Sequence, residues 1–214
     1  MADNKAGTKT KADIVKVAAK LFYEKGYEDL SLSEICKEAG ITRTSFFYYF
    51  KDKADLADYV CNQVQSKYLG KLKLPLKGSN ALLTMGIGIA YFFRLLLSDD
   101  NLLRFYSEVL RANSDFLIGN DFYYNFFKGL ATYSNTIKNE EDFNIYYISC
   151  TSVPGNLLFS YRNKTLDVPA EKIVESILKT AIMPLGNEEA NELIPKMLSF
   201  SKKLPIFPVK DFLL

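Results

Sequence analysis

Between Gly40 and Phe50 the chain reads Gly-Ile-Thr-Arg-Thr-Ser-Phe-Phe-Tyr-Tyr-Phe. Thr42, Arg43, Thr44 and Ser45 are hydrogen-bonding groups with one fixed cation, and they sit at the amino end of a ring-rich segment. That chemistry suits polar edges and anionic oxygens, since a guanidinium donates bidentately and hydroxyls both donate and accept. It does not suit catalysis. The sequence has no histidine at all, which removes Ser-His-Asp and Cys-His nucleophile pairs, the usual general acid–base group and most catalytic zinc sites. Cys36, Cys61 and Cys150 are odd in number and far apart, without a CxxC spacing, so they read as reduced thiols of an intracellular protein.

The elements that must position these groups follow from periodicity. Ile14, Val17, Ala18 and Leu21 recur at helical spacing, with Phe22 widening the stripe, and Gly26 ends that helix. Ser31 and Glu34 form a capping box for a short second helix, with Ile35 and Ala39 inward and a stop at Gly40. Thr42 caps a third helix, expected through Phe50. Asp52 caps a fourth from Lys53 to about Tyr68, with Leu56, Val60 and Val64 on one stripe. Two short helices joined by a glycine turn are a helix-turn-helix. In that arrangement the second helix enters the DNA major groove with its amino end nearest the base edges. Arg43, Thr44 and Ser45 then face DNA, while Phe46 and Phe50 lock the helix down by burial. Tyr48 and Tyr49 point about 100° apart, so at least one is exposed.

The run ADIVKVAAKLFYEKGYEDLSLSEICKEAGITRTSFFYYFKDKADL, residues 12–56, closely resembles the DNA-binding region of the TetR (tetracycline-repressor) family. It shares the A..LF...G of the first helix, the S..EI...AG of the second, the YYF closing the third and the K.K opening the fourth. The resemblance covers about the first quarter of the chain, and several spaced elements agree together. It implies an all-α fold: an N-terminal arm and three-helix, helix-turn-helix DNA-binding domain over residues 1–52, joined to a larger helical effector-binding and dimerisation domain over 53–214. It also implies base contacts from Arg43 and Thr44, with Ser33 at a base-contact position of some members. Phosphate contacts fall to Thr42, Ser45, Tyr49 and Lys53, and a sugar-phosphate or base-edge contact to Tyr48. Phe47 departs from the tyrosine common at its position and offers only an apolar contact, such as one to a thymine methyl. Lys9, Thr10 and Lys11, in a polar amino-terminal arm, add phosphate or minor-groove contacts.

Beyond a Gly- and Pro-bearing connection, Leu69 to Asn80, further helices are expected: Ala81–Leu97, Leu102–Arg111, Phe122–Ile137, Phe143–Tyr161, one opened by Pro169 and stopped by Pro184, and a last one from about Glu188 to Lys202 with Pro195 at its start or at a kink. The prolines of the tail after Lys203 suggest extended backbone. The Ala81–Leu97 segment is at the short end for a membrane span and carries Arg94, so it reads as a core helix of a cytoplasmic protein without membrane contact. The segment 143–161 is apolar all round, with small Ser149, Ser152 and Gly155 for close approach of another helix, and Pro154 removes one of its backbone bonds. With the helix near 169–182 it makes a face for a homodimer through a four-helix bundle.

Candidate effector-pocket groups are Tyr91, Phe92, Arg94, Phe105, Glu108, Tyr123, Phe126, Phe127, Tyr133 and Tyr147, with Gly86 and Gly88 leaving room in their helix. Rings at helical spacing are more often core than pocket. The reading is therefore a dimeric, non-enzymatic transcriptional regulator, a repressor by family resemblance. It is released from a palindromic double-stranded DNA operator by a small apolar or aromatic effector, with no metal and no cofactor. The competing reading is a helical small-molecule carrier or enzyme without DNA binding.

Overall fold

The computed structural model describes residues 3–71, 80–112 and 121–209, with the side chains of all but 3–10 and 121–122. Every regular element among them is helical, as the sequence patterns require. Helix α1 (Asp3–Lys25) buries Ile14, Ala18 and Phe22 and stops at Gly26, whose φ of +86° a side-chain-bearing residue would adopt only under strain. The expected polar arm is instead the first turns of α1. Its Ala and Lys residues are good helix formers, and each adds a hydrogen bond to a helix already nucleated by the buried stripe. The contacts expected of the Lys9 and Thr10 side chains lie outside the described side chains.

Helix α2 (Leu32–Glu38) starts on the expected capping box: Glu34 N–H donates to Ser31 Oγ at 3.2 Å, and Ser31 N–H donates to Glu34 Oε2 at 2.9 Å. Helix α3 (Arg43–Phe47) is shorter than predicted. Tyr49 and Phe50 N–H both donate to Phe46 O, at 2.9 and 3.0 Å, so the chain tightens and stops where an unbroken helix was expected. Helix α4 (Lys53–Lys71) runs past Tyr68, and most of the connection that follows lies outside the described residues.

Helices α5 (Ala81–Leu97) and α6 (Asp100–Ala112) meet at a bend of 113°. No single helix among the described residues is long and apolar enough to cross a membrane; this bent pair passes that test only when joined, and α5 is largely buried inside the molecule. Helix α7 (Asp121–Ala131) ends earlier than the pattern suggested. Ser134 Oγ accepts from Thr136 and Ile137 N–H and donates to Leu185 O, so side chains divert the backbone into a turn and Tyr133 and Ile137 leave the helix. Helices α8 (Glu140–Arg162) and α9 (Ala170–Ile182) follow, then a 3-10 turn at Met183–Leu185. The last helix, α10 (Glu188–Lys203), is capped by Asn187 and runs through Pro195, which therefore does not start it.

Helix α6 packs along α8, and α5 along α9 and α10, while α1 spans the two parts by packing on α4 and on α6. Gly86 lets α10 approach α5: a Cβ there would lie 2.2 Å from Met197 Sδ. Gly155 faces α6 within the chain, where a Cβ would meet Leu110 at 2.9 Å. It is thus not part of an outward close-approach surface, because its space is already filled from inside. The non-helical tail after α10 crosses back over the body, and its Pro205 and Phe207 carbonyls accept from Tyr91 and Tyr68 hydroxyls.

The Ser31 backbone N–H, its hydroxyl and then Lys25 hold the Glu34 carboxylate at about 2, below its ordinary 4.5. A folded-state pKa that is depressed adds stability above the unfolded value and loses it as pH falls through the folded one. Amide protection at the start of α2 is therefore expected to be full above pH 4.5 and to fade toward pH 2, and to be insensitive to that range in Glu34→Gln, as hydrogen exchange would read.

Candidate nucleic-acid interface and effector cavity

The amino end of α3 protrudes. Thr42, Arg43, Thr44 and Ser45 are all exposed, whereas Phe46 is 0% and Phe50 2% exposed. Thr42 Oγ1 accepts from Ser45 N–H at 3.1 Å and lies 3.0 Å from Ser45 Oγ, so this pair caps the helix while remaining at the surface. Arg43 Nη2 donates to Ser33 Oγ at 2.7 Å. Two groups ten residues apart, on different helices, are thus drawn to one point on the outer face. Tyr48 is 81% exposed and packs edge-on against the half-buried Tyr49, at 4.9 Å between ring centres. Phe47, also exposed, meets Phe46 edge-on.

Lys53 is turned inward rather than outward. Its ammonium donates to Tyr27 O and Leu30 O, both at 2.8 Å, and sits 4.1 Å from the Tyr27 ring centre. Burial lowers its pKa. The side chain ties the start of α4 to the turn between α1 and α2, and this satisfies the carbonyls of that turn. Lys11 lies over the Tyr59 ring at 4.4 Å and the Phe50 ring at 5.1 Å, which fixes α1 to α4.

The same turn is gripped from the other side. Glu108 on α6 is buried, and its Oε2 accepts from Tyr27 N–H at 2.7 Å and Glu28 N–H at 3.0 Å. Its Oε1 accepts from Arg162 Nη1 of α8 at 2.8 Å. Arg104, one turn earlier on α6, donates to Glu24 O at 2.6 Å and Tyr23 O at 3.2 Å. Glu108 therefore does not line an effector pocket: it faces the first helices, because positions 104 and 108 share the α6 face that meets α1.

A second feature is a cavity of about 240 Å³ between α4, α5, α6, α7, α8 and α9. Of the residues anticipated for it, Phe92, Tyr123, Phe126 and Phe127 line it. The others are held elsewhere. Tyr91 donates to Pro205 O, Arg94 donates to Ser201 O, and Phe105 stacks on Phe22 at 4.9 Å. Tyr133 lies in the turn after α7, and Tyr147 stacks on Phe143 at 5.9 Å. Gly88 opens the wall as expected, with nothing within 4 Å of a Cβ placed there, whereas Gly86 does not, being filled by Met197. Sequence reading missed Gln65 and Thr151 on the lining. Only Gln65 left a trace, as a polar residue beside Val64 on the buried stripe of α4. The thiols are free and buried; burial raises all three, Cys150 to about 12, so thiolate is scarce at each.

Residues 14–60 match the family model described as bacterial regulatory proteins, tetR family. HTH-type transcriptional regulators of Staphylococcus aureus strains USA300 and NCTC 8325 / PS 47 are each 30% identical to the chain over 126 residues, covering 54% of this chain and 65% of theirs. Over residues 14–60 the chain is thus similar to the DNA-binding region of the TetR family. It spans about 65% of the length of those curated relatives. The likeness of fold extends over the remainder: the crystal structure of full-length native TylP, a TetR regulator from Streptomyces fradiae, aligns over 99% of both chains with a TM-score of 0.51 at 16% identity. Within the matched region the α1–α2 turn is the place where Lys53 and Glu108 both attach.

Removing Glu108 leaves the buried Tyr27 N–H, the part-buried Glu28 N–H and the Arg162 guanidinium unmatched. Glu108→Ala is expected to cost about 3–5 kcal/mol in urea unfolding, within the range for breaking a buried pair from one side. Glu108→Gln, which retains an acceptor, is expected to cost clearly less.

Proposed function

We propose that this chain is a dimeric DNA-binding transcriptional regulator rather than an enzyme, a repressor released from its operator by a small effector. The observation that carries the reading is the exposed amino end of α3. Arg43, Thr44 and Ser45 face outward while Phe46 and Phe50 anchor the helix from beneath, which is the disposition a major-groove reader requires. Residues 1–52 serve as the reading head and 53–214 as the effector-binding and dimerising part. Arg43 reads a base, with Ser33 fixing its guanidinium, and Thr44 contacts a neighbouring base edge. Thr42, Ser45 and Tyr49 meet phosphates, and Tyr48 and Phe47 lie along the groove. Lys53 acts chiefly by holding the start of α4 in place; its two carbonyl bonds leave it a reduced part in phosphate binding.

The dimer face lies on α8 and α9. Ile145 is 68% and Ile148 47% exposed, on a face continued by the exposed Ser152 and Asn156, and Met183 is exposed at the end of α9. Tyr146 Oη donates to Ala181 O at 2.8 Å, so the two helices form one platform. Adjacent large apolar groups facing outward on such a platform favour burial against a second copy. Two reading heads on a two-fold axis then meet a palindromic site. The effector shifts the equilibrium by binding better to the arrangement whose heads are wrongly spaced. The cavity and the Glu108 grip lie on opposite faces of α6, which supports this helix as the route.

Selection of bound duplex from a random pool tests the reading: a defined two-fold motif is expected, and equal affinity for random DNA at moderate salt counts against it. Arg43→Ala is expected to weaken the selected site by about tenfold or more and to relax one base position, the loss of a bidentate base contact. Ile148→Asp is expected to give a folded monomer by sedimentation, with operator affinity lost.

A further inference from the structure

The described lining of the cavity contains no Asp, Glu, Lys or Arg. Its polar groups are few, and nearly all are occupied. Thr84 Oγ1 donates to Asn80 O at 3.3 Å, Tyr106 Oη to Cys61 O at 3.0 Å, Cys150 Sγ to Thr180 O at 3.5 Å and Thr151 Oγ1 to Tyr147 O at 2.9 Å. Tyr123 Oη donates to Gln65 Oε1. That leaves the Gln65 carboxamide nitrogen. Gln65 is 8% exposed, and its N–H₂ has no acceptor among the described residues. The Tyr123 bond assigns the oxygen to one side of the amide and so turns the two donors the other way.

We propose that the cavity takes an uncharged, largely apolar ligand bearing one carbonyl-type acceptor, and that Gln65 reads this acceptor through its side-chain N–H₂. The surrounding rings and aliphatic groups, Phe92, Phe126, Ile89 and Leu69 among them, take the remainder of the ligand. A donor that opens onto a chamber walled mostly by apolar groups competes with little water, so an acceptor gains more there than on an exposed surface. A carboxylate also accepts, but it would enter without any lining cation, and Asp58 on α4 lies close enough to raise the Tyr123 and Tyr147 hydroxyls. An ammonium meets no lining carboxylate among the described residues, and it faces the positive end of the amide dipole.

The ligand class rests on the effector reading above only for its consequence on DNA; binding itself is measured separately. Calorimetric titration of the full chain uses four probes on one frame: 2-acetylnaphthalene, 2-ethylnaphthalene, 2-naphthoate and 2-naphthylmethylammonium. The ketone is expected to bind about tenfold or more tighter than each of the others. In Gln65→Leu, which keeps the volume, the hydrocarbon is still expected to bind, and the ketone to lose its advantage over it. Equal or tighter binding of either ion, a ketone preference that survives in Gln65→Leu, or no binding of any probe overturns the proposal. Release of selected operator DNA by the ketone is scored apart. A protein that binds the ketone with the stated preference yet keeps its DNA retains this ligand class and loses the effector-controlled reading.

Discussion

Glu108 has almost no access to water and three hydrogen bonds to account for, two from the backbone of the α1–α2 turn and one from Arg162. An ionised carboxylate in such a place is tolerable only when its oxygens are matched. Those matches come from two separate regions, the α1–α2 turn and α8, so the charge on α6 can be satisfied only when the first helices, α6 and α8 occupy their mutual positions. Gly26 completes the constraint: a Cβ at that residue would lie 2.6 Å from Glu108 Oε2, and the backbone there has positive φ. The turn is shaped by the absence of a side chain and held by the presence of another.

Lys53 works on the same turn from the opposite direction. Glu108 takes the N–H groups of residues 27 and 28, and Lys53 takes the carbonyls of 27 and 30. A short irregular segment with four of its backbone groups answered by charged side chains behaves as a rigid joint rather than a loose linker. Helix α3 is carried on that joint through α2, whose own start is closed by Ser31 and Glu34.

Much of this was legible in the residues. The capping box, the glycine stops and the alternation of buried rings with exposed polar groups at 42–50 are local signals, set by backbone sterics and by 3.6-residue periodicity, and they located α1 to α4. Ends that depend on competition were not legible. Helix α3 stops where a shared carbonyl tightens the chain, and α7 stops where Ser134 outbids the helix for its backbone. The cavity was the least legible part. Aromatic residues mark a site no better than they mark a core, so Tyr91 and Phe105 were indistinguishable from Phe92 and Phe126 until the packing partners were known. Glu108 was read as a pocket group, but it is matched by Arg162 and by backbone 80 residues away, relations that no spacing encodes.

Helix α6 presents Tyr106 and Leu110 to the cavity and Arg104 and Glu108 to the first helices. Chemical preference and mechanical attachment are thus written on alternate positions of one rod. Substitutions that reshape the chamber can accumulate on one side without disturbing the anchorage on the other, so descendants of this scaffold are free to change the shape of the chamber while keeping the same joint.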